Sequence, residues 1–175
     1  MRVLFQDEAR FGRSQEPGNF WAPKGIRPNV VHQLIRSYLY AYGAVSPRDG
    51  KTVFLILPNV TASTMNIFLA EVARCFSKDF LLMFYDGAPG HSQSALDIPQ
   101  NMLIEKLPAY CPELNPTEHL WDSIREHFFL NQFFSSLNAV ENKLVEAMQY
   151  FDRNPEIVKS ITGFKWIIKA IKDLN

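Results

Sequence analysis

Only two cysteines, Cys75 and Cys111, occur in the 175 residues, and they form neither a CxxC pair nor a set large enough for a disulfide framework. Their scarcity excludes a structural zinc ribbon and the disulfide-rich secreted domains. No run approaches the roughly 18 apolar residues of a membrane span, and the N-terminus lacks the basic, apolar, small-residue order of a signal peptide. A soluble cytoplasmic protein with no membrane partner is the expectation. Net charge is missing too: 18 Lys and Arg balance 18 Asp and Glu, so the average surface is not that of a nucleic-acid binder. The balance is uneven along the chain. Arg10, Arg13, Lys24, Arg27 and Arg36 face the single acid Glu16 in the segment that they span, and Lys165, Lys169 and Lys172 form a second basic stretch. Such zones can place phosphates near an acidic site without giving high affinity. What is present is globular, with 47% hydrophobic and 21% charged residues, and suits one core and one domain over residues 1–175.

Hydrophobic periodicity orders the elements. Arg2 to Glu8 alternates as a strand, with Val3, Phe5 and Asp7 on one face and Leu4, Gln6 and Glu8 on the other. A glycine- and proline-bearing segment follows, a basic loop insertion over about 11–36. Tyr38 to Val45 and Lys51 to Leu57 read as a hairpin across a turn ending in Asp49-Gly50. Met65, Phe68, Leu69, Val72 and Phe76 mark one helical face, with Thr61 or Ser63 as N-cap. Phe80 to Tyr85 is an unbroken apolar run of the kind central parallel strands show. Met102 to Lys106 makes a short fifth strand. Asn115 caps a helix that begins at Pro116 and runs to about Phe129. Val140, Leu144, Ala147, Met148 and Phe151 define another helix, stopped near Asn154-Pro155, and Phe164, Ile167, Ile168 and Ile171 share a face in the last segment. The order predicts an α/β, ribonuclease H-like (retroviral-integrase-like) fold, a central mixed five-stranded sheet flanked by helices. In that sheet the first and fourth strands are neighbours, which puts Asp7 beside Asp86.

Two aspartates at adjacent strands and a glutamate on a nearby helix, Glu118, are the hard oxygen donors that a pair of divalent ions requires for phosphodiester chemistry. Each acid also has a plainer reading. Asp7 can end a strand, Asp86-Gly87 is a common turn pair, and Glu118 occupies the third helical position, where a capping box would use it. Glu8 alternates to the opposite face from Asp7, which limits it to a supporting role. His91 and Asp122 are further supporting candidates, although an intrahelical charge set with Arg125 is the plainer account of Asp122. Trp121 is expected in the core.

The wording around these acids is more specific than their type. Phe5-Gln6-Asp7-Glu8 and Trp21-Ala22-Pro23-Lys24-Gly25-Ile26-Arg27-Pro28, then Tyr85-Asp86-Gly87-Ala88-Pro89-Gly90-His91, then Leu107-Pro108-Ala109-Tyr110-Cys111-Pro112-Glu113-Leu114-Asn115-Pro116-Thr117-Glu118-His119-Leu120-Trp121 resemble the motif blocks of mariner-superfamily DDE transposases, particularly their bacterial insertion-sequence branch. The closing Thr162-Gly163-Phe164-Lys165-Trp166 extends the likeness over nearly the whole chain. The resemblance implies a metal-dependent transposase catalytic domain that cleaves transposon ends and transfers strands. It implies Asp7, Asp86 and Glu118 as catalytic metal ligands, two Mg²⁺ ions with Mn²⁺ as substitute, DNA as partner, and a homodimer in the active complex. It also implies DNA contacts from Arg10, Arg13, Lys24, Arg27, Arg36 and His91. Asp86 and Glu118 are 32 positions apart, in keeping with that family's short interval. Gly87 stands where asparagine is common and Cys111 where serine is common; neither removes a ligand. An N-terminal helix-turn-helix module is expected to be absent, since the first core strand begins at residue 2. The alternatives are a ribonuclease H-like nuclease, or a domesticated transposase that only binds DNA or a partner.

Overall fold

The computed structural model describes residues 1–13, 22–26, 35–86 and 95–174. Among these residues five strands make one sheet: β1 (Arg2–Gly12), β2 (Tyr38–Ser46), β3 (Lys51–Leu57), β4 (Leu81–Tyr85) and β5 (Met102–Lys106), in the order β3-β2-β1-β4-β5. The β1–β2 and β2–β3 pairs are antiparallel, while β4 and β5 run parallel to β1. This is the mixed sheet of a ribonuclease H-like fold, with β1 in its centre.

Side-chain alternation along β1 divides the core in two. Leu4 joins Tyr42, Met65, Phe68, Leu69 and Val72 beneath α1 (Ala62–Cys75). Val3, Phe5, Ala9 and Phe11 join the second layer, built by α2 (Pro116–Ile124), α3 (Leu137–Arg153), α4 (Pro155–Thr162) and α5 (Lys165–Asp173). Helices therefore cover both faces, so the apolar β4 run has no solvent side to make polar.

The start of α1 is fixed by Thr61, whose hydroxyl accepts from the Thr64 amide while the Thr64 hydroxyl accepts from the Thr61 amide. Such a box satisfies two otherwise orphaned donors. Three boundaries differ from the sequence reading. The first strand continues to Gly12, because β2 pairs with it as far as Tyr38, so Phe11 and Gly12 belong to the sheet and not to the loop. The helix from Pro116 passes into one π-helical turn at Arg125–Phe129. A separate helix, α4, follows Asn154-Pro155, where the proline occupies its first turn. That dipeptide both ends one helix and opens the next.

Candidate active site

Parallel pairing of β1 with β4 ends at Gln6 opposite Tyr85. Asp7 and Asp86 are the next residue on each strand, so the register sets them side by side at the carboxyl end of β4. Asp7 is 4% exposed and Asp86 half-buried. Carboxylate oxygens of Asp7, Glu8 and Asp86 all lie within 4.8 Å of one another.

Glu8 joins this group although it alternates to the other face. Its neighbours match that alternation: Gln6, two residues back, donates its amide nitrogen to Glu8 Oε1 at 2.8 Å. The reason for the convergence is the end of β4. Among the described residues no pair between β1 and β4 continues beyond Tyr85, and the carboxylates of Asp7, Glu8 and Asp86 meet there. Strict alternation holds for Cβ directions, not for where a long side chain ends.

Glu118 approaches from α2. The helix is tied to β1 at its first turn: Asn115 donates its side-chain amide to the Gln6 carbonyl at 3.0 Å and accepts from the Thr117 amide at 3.2 Å, and Thr117 donates its hydroxyl to the Phe5 carbonyl at 3.0 Å. Asn115 and Thr117 are buried, so these bonds lie where water does not compete. The Asn115 amide donates to the carbonyl of Pro112, which removes the donor that a capping box would have offered Glu118. Glu118 is half-buried. Its charge acts on Asp7, yet its carboxylate stands outside the tight group of three.

The electrostatics follow from burial of like charges. Desolvation, then the negative charges of Glu118, Asp86 and Glu8, push the Asp7 carboxyl up to about 8. Burial also raises Glu118, opposed by Arg125 and reinforced by Asp122 and Asp86. A buried acid crowded by other acids is the arrangement that a cation relieves.

The remaining candidates sort differently. Asp122 is exposed and pairs with Arg125 at 3.3 Å, the intrahelical set expected of it. Arg13 donates to the Phe134 carbonyl at 2.9 Å. Arg10 is exposed with its guanidinium over the Tyr38 ring. Lys24 and Arg36 are exposed. Arg27 and His91 lie outside the described residues. Thr117 was not singled out by sequence; its place two residues after the Asn115 cap was the available signal.

A family model described as DDE superfamily endonuclease matches residues 2–141. The chain belongs to this family. It is also similar to the uncharacterized protein y4pE/y4sA of Sinorhizobium fredii (strain NBRC 101917 / NGR234), at 30% identity over 130 residues, which cover 74% of this chain and 96% of that protein. Among solved structures it resembles the Mos1 transposase paired-end complex with left transposon end, with a TM-score of 0.64, 18% identity, and coverage of 93% of this chain and 55% of that one. The Mos1 mariner paired-end complex with Mn gives a TM-score of 0.64 at 19% identity, covering 91% and 53%, and the complex with Mg gives 0.60 at 19%, covering the same shares. At these identities the likeness is one of fold, and the chain spans just over half of the Mos1 chains. No described helix of this DDE family member is long and apolar enough to cross a membrane.

Proposed function

We propose that this chain is the catalytic domain of a mariner-like DNA transposase, with Asp7, Asp86 and Glu118 as its metal-binding acids. The observation that carries the reading is the convergence of Asp7 and Asp86, 79 positions apart in sequence, within 4.8 Å of each other at the carboxyl end of β4, in a chain of the DDE endonuclease family. Similar folds have been solved as transposase complexes with a transposon end, with Mn and with Mg.

The residues suit a hard divalent cation. Every donor is a carboxylate oxygen, with no thiol or imidazole among the three, a set that favours Mg²⁺ or Mn²⁺ over zinc or copper. Asp7 and Asp86 would hold such ions and Glu118 would complete the set from α2, with two ions as the proposed number. When bound, the ions activate the attacking oxygen and stabilise charge on the leaving oxygen.

The chain itself supplies position and environment. Asp7 sits in the central strand, paired with Gly43 of β2 and one residue beyond the last pair with β4. Asn115 and Thr117 pin the helix that carries Glu118 to the same strand, so the three acids share one rigid frame. Rigid donors lower the reorganisation that in-line displacement at phosphorus requires. The attacking groups are water for nicking and a DNA 3′-hydroxyl for strand transfer, with no covalent intermediate on the protein. The exposed Arg10, Lys24 and Arg36 would meet DNA phosphates. The working assembly is a homodimer on transposon ends, and the reaction takes place in the cytoplasm.

Purified chain incubated with Mg²⁺ or Mn²⁺ and end-labelled terminal-repeat DNA tests the reading. Cleavage that disappears in Asp86→Ala and Glu118→Ala supports it. Cleavage that survives both substitutions defeats it, and a preference for RNA–DNA hybrids over terminal repeats would move the chain to the ribonuclease H-like nucleases.

A further inference from the structure

One row across the sheet runs Phe54, Gly43, Asp7, each the ladder partner of the next. Ladder partners point their side chains to the same face, so the face that carries the Asp7 carboxyl has a gap at Gly43. The Trp121 indole fills it. A methyl group at position 43 would meet Trp121 Cζ2 at 2.6 Å and Cη2 at 2.7 Å, and Phe54 Cε1 at 3.3 Å. Trp121 has no room to retreat. It is fully buried, with the rings of Phe11 at 6.0 Å and Phe54 at 5.8 Å between centroids, and close-packed aromatic cores do not shift locally without moving their element.

Trp121 lies three residues after Glu118 on α2, the spacing that stacks side chains along one face of a helix. How closely the indole seats on the β2 backbone therefore sets how closely α2, and Glu118 with it, approaches Asp7. Asn115 and Thr117 fix the first turn of the helix; the indole fixes the next.

We propose that Gly43 and Trp121 are a positioning pair for the acidic site, the missing side chain of one and the large ring of the other setting the distance from Glu118 to Asp7 and Asp86. The proposal rests on the reading that these three acids hold the cations. Neither residue touches the reacting atoms.

The test is a double-mutant cycle on the whole chain with Gly43→Ala, Trp121→Leu and both together. It reads Mn²⁺ affinity from the free-Mn²⁺ electron paramagnetic resonance signal, kcat and KM on terminal-repeat DNA, and folding by circular dichroism. In the wild-type background Gly43→Ala is expected to weaken Mn²⁺ binding and lower kcat by about tenfold or more, with KM for DNA moving by less than about twofold. In the Trp121→Leu background the same change is expected to be neutral or restorative, because the smaller side chain leaves the space that the methyl needs. Equal harm in both backgrounds, or none in either, overturns the proposal. If Gly43→Ala alone does not fold, the other two variants decide: Mn²⁺ affinity of the double variant at or above that of Trp121→Leu supports the pair, and affinity below it refutes the pair. Asp7→Asn and Asp86→Asn serve as references. Mn²⁺ affinity unmoved in them sinks the metal reading and the positioning role with it, whereas affinity lost there but indifferent to the cycle sinks the positioning role alone.

Discussion

Asn115 donates its side-chain amide to the main-chain carbonyl of Gln6 at 3.0 Å, across 109 positions of sequence. One short side chain thus caps a helix and ties that helix to the residue before Asp7. Replacing Asn115 by Ala removes the cap of α2 and leaves the buried Gln6 carbonyl without this donor. The expected cost is about 2–3 kcal/mol in chemical denaturation, accompanied by weaker Mn²⁺ binding as Glu118 loses its anchor. A loss under about 0.5 kcal/mol would show that the tie contributes nothing beyond an ordinary surface change.

Asp7 gives a pH dependence with a definite sign. Its carboxyl is raised from an unfolded value of 3.8 to about 8, so the folded state holds the proton more tightly than the unfolded state does. The stability from this proton is fully present below pH 4 and is lost as pH rises from there to about 8, at about 1.4 kcal/mol per pH unit while the two states differ by one proton. In EDTA, the melting temperature of the wild type relative to Asp7→Asn should therefore fall between pH 5 and 8. Mn²⁺ binding should strengthen over the same range, because the ion displaces that proton. Melting curves for the two proteins that stay parallel with pH would contradict this.

Glu8 belongs to the tight carboxylate group and accepts from Gln6. Glu8→Gln keeps the shape and removes the charge. Mn²⁺ affinity should drop by about tenfold, and an isotherm within twofold of wild type would confine Glu8 to the hydrogen bond with Gln6.

Gly50 closes the β2–β3 turn with φ of +71°, and a methyl there would collide with the Pro155 carbonyl at the start of α4. Gly50→Ala combines a left-handed backbone with that collision, for an expected loss of at least about 1–2 kcal/mol. The active site is distant in the fold, so metal affinity at a temperature where the variant is folded should be unchanged. A variant as stable as wild type would show that the turn relaxes freely.

The sequence determined the elements and the candidate acids. Periodicity marks β1, the β2–β3 hairpin and the faces of α1 and α3, because side chains repeat every two residues in a strand and every 3.6 in a helix. The Asn115-Pro116 start of α2 was legible for the same local reason, and Trp121 was expected in the core where it lies. Less legible were features whose cause is a neighbour distant in sequence. Phe11 and Gly12 extend β1 because Leu39 and Tyr38 pair with them. Asn154-Pro155 signals a helix end and a helix start in the same words, and packing of Val158 into the core selects the start.

The site divides in the same way. Asp7, Asp86 and Glu118 could be named from their motif blocks, and the neighbouring ends of β1 and β4 follow from the strand order. Only tertiary structure decided that Glu8 joins the group with Asp7 and Asp86 while Glu118 is not part of it, that Thr117 and Asn115 anchor α2 to β1, and that Gly43 leaves the gap which Trp121 fills. Local propensity acts over a few residues of chain, whereas the position of a carboxylate to within an ångström depends on contacts closed across roughly a hundred residues, which no nearby pattern encodes.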